Sequence, residues 1–164
     1  MNFEQYQNYL IDTATSLLSI DSTSGFTAKV TDYLIDTVKE LGYPVYKNNI
    51  GNVIVTVEGE DDSEPVALSA HVDTLGLMVR SITSDGMLMI TSIGSPLLPS
   101  LDGEYCNIHT RDGRVYTGTI LSLSPAVHVF PDASTRDRDE QNMAVRIDEI
   151  VHSKEDVEAL GIHA

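Results

Sequence analysis

The chain has 164 residues, 41% of them apolar and 21% charged, which is enough for one ordinary domain or two small ones and excludes wholesale disorder. Its 25 acidic and 10 basic residues give a net charge of −15, which argues against nucleic acid or an anionic membrane as a partner, because both are bound through basic patches. The single cysteine, Cys106, cannot form an intramolecular disulfide, which fits a reducing compartment. The first residues have no basic start followed by an apolar core, so no signal peptide is expected. No stretch reaches the roughly 18 apolar residues that span a bilayer, and we expect a cytoplasmic protein.

The first part of the chain has the apolar spacing of two amphipathic helices. The pattern predicts a helix over about residues 4–18, a break rich in Ser, Thr and Gly over 19–26, and then a second helix. The second helix carries its apolar face at Val30, Tyr33, Leu34, Val38 and Leu41. Gly42 is predicted to cap this helix and Pro44 to stop it.

A β-rich stretch follows the helices. We predict a short strand at 44–47, a turn at 48–52, a β-branched strand at 53–57 and an acidic solvated loop at 59–64. The apolar run 66–71 has the length and composition of a buried strand. Two helices, a hairpin and a buried strand together predict the opening of an α/β sheet domain.

After Gly76 the pattern changes to short strands with turn signals between them. Two Asp-Gly turns, at 85–86 and 112–113, predict two hairpins. Their predicted strands are 77–82, 87–92, 105–110 and 115–123. Many short strands without a helix favour a small barrel or sandwich.

The last forty residues begin with a long, irregular, charged segment at 125–141, which we expect to be functional, interfacial or disordered. Alternation predicts a strand at 143–148. Ser153 and Asp156 resemble a capping box that opens a short helix closed by Gly161.

The strongest chemical signal is the pair His71 and Asp73. In an extended segment residues i and i+2 point to the same face, and a metal-bound histidine needs a carboxylate or carbonyl to fix its tautomer. The pair also follows a predicted buried strand, where ligands gather in open α/β sheets. A lone His-x-Asp motif is nevertheless weak evidence.

Other candidates for catalysis are weaker still. Cys106 lies in a strand-like run and is interpreted as a small buried hydrophobe and not as a nucleophile. The remaining histidines are interpreted as surface or packed residues, although His128 lies just before the long loop and could approach a site; they are His109, His128, His152 and His163. The sequence contains no Gly-x-Ser-x-Gly elbow, phosphate loop, dinucleotide fingerprint or paired-cysteine metal site.

Several short motifs occur in a specific order over essentially the whole chain. They are Ser-Gly-Phe at 24–26, Gly-Asn-Val-Ile at 51–54, the His-x-Asp segment at 70–79, and two stretches at 109–113 and 153–161. In this order they resemble the N-terminal part of the glutamyl/deblocking aminopeptidase family, dinuclear-metal peptidases that assemble as tetrahedral particles. Some members carry cellulase or endoglucanase names. Two positions differ from the family pattern, because Thr27 and Thr74 stand where acidic residues are common.

The resemblance implies a fold, a site and partners. The fold would be α/β, with residues 1–74 forming the N-terminal part of an α/β/α zinc-peptidase-like catalytic domain and 75–164 forming a β-barrel-like inserted domain for dimerisation. His71 would be the first metal ligand and Asp73 the catalytic-site acid that steadies it. Two divalent ions, zinc or cobalt, would polarise the scissile carbonyl and lower the pKa of a bridging water, with a glutamate as general base. The substrates would be peptides, cleaved at the N-terminal residue, and the homo-oligomer would be a dimer that builds a larger particle.

The other ligands of the resembled family follow the inserted domain, whereas this chain ends at Ala164. One imidazole and one supporting acid cannot hold a dinuclear site. We therefore expect this chain alone to be inactive, as a truncated gene product, a partial gene model or an excised piece. The alternative is a non-catalytic oligomerisation or binding module that keeps the barrel and has lost the metal site.

Overall fold

The computed structural model describes residues 3–61 and 63–164, without the side chains of residues 3 and 5. The chain divides into two compact units, Met1–Leu75 and Gly76–Ala164. Helices and antiparallel strands are both present, which confirms the mixed α/β class. Among the described residues, none of the helices has the length and apolar character needed to cross a membrane. Asp62, in the predicted acidic loop, lies outside the described residues.

The first unit contains the two predicted helices and the predicted hairpin. Its elements are α1 (Phe3–Leu18), α2 (Ala28–Glu40), β1 (Val45–Lys47) and β2 (Val53–Val55), and β1 pairs antiparallel with β2. The end of α2 is a Schellman motif, in which Gly42 has φ 83° and its N–H donates to the Lys39 carbonyl at 2.9 Å, while the Tyr43 N–H donates to the Val38 carbonyl at 3.2 Å. The predicted role of Gly42 as a cap is confirmed.

The segment 66–71 is not a strand, and the prediction of a buried strand there is wrong. The structure assigns it no regular structure, and Val66 and Leu68 are 89% and 97% exposed. A strand buried on both faces needs neighbouring strands at its edges and helices over its faces. In the described part of this unit β1 and β2 pair only with each other, so the apolar run has no ladder to join.

The second unit is built on one five-stranded antiparallel sheet. Its elements are β3 (Gly76–Ile82), β4 (Leu88–Ile93), the 3-10 helix η1 (Leu98–Leu101), β5 (Tyr105–His109), β6 (Val115–Ser122), β7 (Met143–Ile147) and α3 (Lys154–Ala159). The strand order is β3-β4-β7-β6-β5. Both predicted hairpins are present, with Gly86 and Gly113 at φ 89° and 87° in the turns. The late strand β7 lies between the two hairpins. It contributes Met143, Val145 and Ile147 to the core.

The buried core of this unit contains apolar residues of strands β4 to β7, of η1, of α3 and of the segment after α3. They are Leu88, Ile90, Leu98, Ile108, Ile120, Met143, Val145, Ile147, Val157 and Ile162. Helix α3 begins as predicted, because the Ser153 hydroxyl accepts the Asp156 N–H at 3.1 Å. The Asp156 carboxylate returns a bond to the N–H of His152 at 2.9 Å. The cap therefore fixes the direction in which α3 leaves the sheet.

The long segment at 125–141 forms no helix or strand, as predicted, but it is attached to the sheet. The Glu140 carboxylate accepts the Ser92 N–H at 2.6 Å and the Thr91 hydroxyl at 3.1 Å. The bond from the Ser92 N–H is the main reason that the pKa of Glu140 lies below its ordinary value. Arg138 donates to the Asp102 carboxylate at 3.1 Å. These bonds give the loop a defined path over the second unit.

Candidate metal site

The segment that carries the predicted site is held by the loop between α1 and α2. Ser22 is completely buried, and its hydroxyl donates to the Val72 carbonyl at 3.0 Å. The Thr74 N–H donates to the Ser22 carbonyl at 3.0 Å, and Thr23 forms an isolated parallel bridge with Thr74. The backbone on either side of Asp73 is therefore fixed by this loop, although no regular sheet contains it.

His71 and Asp73 are in contact, as the i, i+2 spacing predicts. The distance from His71 Nδ1 to Asp73 Oδ1 is 3.1 Å. The other carboxylate oxygen, Asp73 Oδ2, accepts the Ser24 hydroxyl at 2.6 Å. This hydroxyl, with a smaller contribution from His71, holds the pKa of Asp73 below its ordinary value. Asp73 is thus an ionised, acceptor-only group at neutral pH, and His71 Nδ1 is the donor.

This arrangement leaves the second ring nitrogen of His71 available. The His71 side chain is 87% exposed and that of Asp73 is 39% exposed. An imidazole whose Nδ1–H is held by a carboxylate and whose Nε2 lone pair is free has the form of a metal-bound histidine. The donor set therefore fits one ligand position of a metal site and its supporting acid.

The rest of a metal site is not found nearby. Over the described ranges 3–61 and 63–164, no three His, Cys, Asp or Glu side chains are grouped so that they could hold a metal ion. His109 lies half-buried on β5, and the other three histidines of the second unit are exposed. A single imidazole is too few ligands, because a tightly bound transition metal requires several.

Two serines of the site, Ser22 and Ser24, were not predicted to act in it. The only sequence signal was indirect, because Ser24 belongs to the Ser-Gly-Phe motif in the small polar loop 19–26. Ser24 and Asp73 are 49 residues apart in sequence. No periodicity or spacing rule links positions that far apart, so only the folded chain shows the contact.

Cys106 has the environment expected of a structural thiol. It is half-buried on β5, and burial, with a smaller effect from the Asp148 charge, raises its pKa to about 11. A thiol with a raised pKa is a poor nucleophile, because the thiolate is the reactive form. This supports the interpretation of Cys106 as a small hydrophobe.

The native chain is expected to alkylate slowly at Cys106. Because the pKa rises from 9.0 to about 11, the thiolate population at pH 8 should fall by about a hundredfold relative to a free thiol. The rate with iodoacetamide should fall by about tenfold or more, because the more basic thiolate is also more nucleophilic. Mass spectrometry of timed reactions measures this rate. The same chain in urea is the control and should react like a free cysteine; equal rates in both states would contradict the assignment.

Comparison with known proteins identifies relatives of the chain. The family model described as M42 glutamyl aminopeptidase matches residues 51–164. The protein YhfE of Bacillus subtilis (strain 168), provisionally named an aminopeptidase, is 45% identical over 146 residues, which cover 89% of this chain and 42% of that protein.

Solved structures give the same picture. The aminopeptidase of the archaeon Desulfurococcus kamchatkensis superposes with a TM-score of 0.83 at 27% identity, covering 97% of this chain and 42% of that one. The TET1 peptidase of Pyrococcus horikoshii, described as assembling into a tetrahedron or a large octahedral shell, superposes with a TM-score of 0.74 at 26% identity, covering 92% of this chain and 43% of that one. The present chain therefore spans less than half the length of these proteins.

Proposed function

The chain belongs to the M42 glutamyl aminopeptidase family, and on that premise we propose that it is the N-terminal portion of a metal-dependent aminopeptidase that removes N-terminal residues from peptides. The observation that carries the proposal is the geometry at His71, whose Nδ1 lies 3.1 Å from Asp73 Oδ1 while its ring remains exposed. These two residues lie within the part of the chain that the family model matches.

In this proposal His71 and Asp73 have separate tasks. His71 would hold one of two divalent ions, zinc or cobalt, through Nε2. Asp73 would keep the proton on Nδ1 and fix the direction of the ring. Divalent ions in such a site supply a water of lowered pKa and polarise the scissile carbonyl.

The two units would have different tasks as well. Residues 1–74 would contribute to the catalytic domain, and 75–164 would form a β-barrel-like domain for dimerisation within a larger particle. Two features support a role of the second unit in assembly: its edge strands β3 and β5 carry exposed Met78 and Tyr105, and a related peptidase is described as forming shells. A single thiol and an acidic surface fit a cytoplasmic location.

The alternative function is that of a non-catalytic oligomerisation or binding module. The observation that favours it is the lack, among the described residues, of any group of three potential metal ligands. The two functions differ in whether His71 has a role once the remaining ligands are supplied. They are therefore separable by experiment.

The 164-residue chain alone is expected to show no aminopeptidase turnover, because one imidazole does not hold two ions. The measurement is release of p-nitroaniline from aminoacyl p-nitroanilides, glutamyl included, with added Zn²⁺ or Co²⁺. Metal-dependent turnover that disappears in His71→Ala would overturn the expectation that this chain is inert.

A chimera supplies what the chain alone lacks. Residues 1–164 would replace the aligned portion of the Bacillus subtilis relative, which is 45% identical over 146 residues. The aminopeptidase proposal predicts a folded chimera with metal-dependent release of N-terminal residues, provided the unaltered host is active under the same conditions. The module alternative predicts a folded chimera without activity.

A further inference from the structure

The carboxylate of Asp73 divides its two oxygens between two partners. Oδ1 faces His71 Nδ1 at 3.1 Å, and Oδ2 accepts the Ser24 hydroxyl at 2.6 Å. A charge-assisted hydrogen bond to one oxygen restricts rotation of the carboxylate and so limits the positions open to the other oxygen. The Ser24 hydroxyl therefore sets the orientation of the Asp73 carboxylate that contacts His71.

The surrounding backbone contributes little to this orientation, because the bond from the N–H of Asp73 itself has the smallest effect on the carboxylate. Residues 66–73 have no regular structure, so no sheet ladder limits the Asp73 side chain. Ser22 holds the backbone on either side, through Val72 and Thr74, but it does not contact the carboxylate. The loop between the first two helices thus makes two kinds of contact. Ser22 binds the backbone on either side of Asp73, and Ser24 binds the Asp73 side chain.

We propose that Ser24 is a positioning residue that, through Asp73, fixes the ring orientation and the Nδ1–H tautomer of His71. The consequence for metal binding rests on the proposed function, whereas the effect on the tautomer does not. With Oδ2 occupied by the Ser24 hydroxyl, Oδ1 is left as the acceptor for His71 Nδ1–H. The Nε2 lone pair is then presented outward, ready for a divalent cation.

A purely structural role for Ser24 predicts something different. The Ser24–Asp73 bond lies at the protein surface, where a hydrogen bond contributes little to folding because water replaces it. Loss of the hydroxyl should therefore leave the first unit folded. Its effect should instead appear at His71, because the Asp73 carboxylate links the Ser24 hydroxyl to that ring.

The test is the tautomer of His71 in the 164-residue chain, measured by long-range ¹H–¹⁵N correlation spectra in alkaline solution, where imidazoles are neutral. The wild-type chain should show mainly the Nδ1–H form. Ser24→Ala should lower the ratio of Nδ1–H to Nε2–H, at most by the roughly five- to tenfold that complete loss of the His71–Asp73 hydrogen bond would give. Ser24→Thr keeps the hydroxyl and should restore the wild-type ratio.

Two controls isolate the route through Asp73. Ser19→Ala makes the same chemical change at a hydroxyl that donates to the Ser16 carbonyl at 2.8 Å, and it should leave the His71 ratio unchanged. In an Asp73→Ala background, Ser24→Ala should have no further effect on the ratio. An independent effect of Ser24 in that background, or an unchanged ratio in Ser24→Ala, overturns the proposal.

Backbone amide spectra establish that each variant is folded. Ser24→Gly provides a second deletion of the hydroxyl and is expected to show the same loss of the Nδ1–H form if Ser24→Ala does not fold. Wild-type tautomer ratios in a folded Ser24→Gly chain would overturn the proposal.

Titration with Co²⁺ alone of the chimera, which supplies the remaining ligands, separates this inference from the proposed function. Paramagnetic shifts at His71 should require roughly tenfold more Co²⁺ in Ser24→Ala, the lower end of the effect of outer-shell partners. If the tautomer changes but Co²⁺ does not bind at His71 of the chimera, the metal-ligand function fails while Ser24 remains a positioning residue. If Co²⁺ binds equally well and the tautomer is unchanged in Ser24→Ala, the positioning role fails and the metal-ligand function stands.

Discussion

His71→Ala is expected to lower kcat/KM of the chimera, the present chain joined to the remainder of its Bacillus subtilis relative, by more than about 100-fold. The reason is that His71 is the only side chain of the described site with a free metal-binding nitrogen, and loss of an outer-shell partner alone costs roughly 10–100-fold. Asp73→Ala is expected to lower kcat/KM by roughly 10–100-fold. The substitution leaves the imidazole in place but removes the acceptor that selects its Nδ1–H tautomer.

Steady-state hydrolysis of aminoacyl p-nitroanilides, with metal content measured in parallel, provides the test. His152→Ala is the matched control, since it removes an exposed imidazole from the second unit and should leave kcat/KM and metal content unchanged. Full activity in His71→Ala, in a chimera that retains its metal, would show that His71 is no ligand.

Gly118→Ala is expected to destabilise the second unit by about 2–3 kcal/mol, in the upper part of the range for overpacking a core. Gly118 lies within β6, opposite Cys106 on one side and Ile147 on the other. A Cβ at this position would lie 2.8 Å from the Arg146 carbonyl oxygen and 2.8 Å from Val145 Cγ1.

Neither neighbour of that Cβ can move freely. The Arg146 carbonyl belongs to the β6–β7 pairing, so its displacement weakens the central ladder. The Val145 side chain is buried and branched at Cβ, so few alternative rotamers are open to it. A glycine within a strand often marks such a close approach of another backbone.

The stability change is measured by urea unfolding, with the amides of β7 followed by NMR so that the second unit is observed by itself. Gly59→Ala is the matched control, because the atoms nearest its added Cβ lie at 3.9 Å and that substitution should be nearly neutral. Equal midpoints for the wild type and Gly118→Ala would show that the β6–β7 interface relaxes around the methyl group.

Elements defined by local interactions were predicted correctly. The cap at Gly42 depends on bonds from the Gly42 N–H to the Lys39 carbonyl and from the Tyr43 N–H to the Val38 carbonyl. Each Asp-Gly hairpin is set by a turn within a few residues. The cap of α3 spans only Ser153 to Asp156. All the partners in these cases lie a few residues apart in the sequence, so a short stretch of sequence contains the necessary information.

Elements that depend on distant partners were not predicted correctly. The run 66–71 has the composition of a buried strand, but composition expresses only a preference for burial and supplies no neighbouring strand. Alternation correctly predicted β7 at Met143–Ile147, yet its place between β4 and β6 could not be deduced. Strand order is decided by which apolar faces meet, across separations of tens of residues.

The candidate site divides along the same line. The sequence alone determined the pair His71 and Asp73, because the two-residue period of an extended chain places both side chains on one face. Only the tertiary structure decided how Asp73 is held, because Ser24 approaches it from a loop 49 residues earlier in the chain. The physical reason is that an i, i+2 contact follows from backbone geometry, whereas the Ser24 contact exists only after the helices and the site segment have packed together.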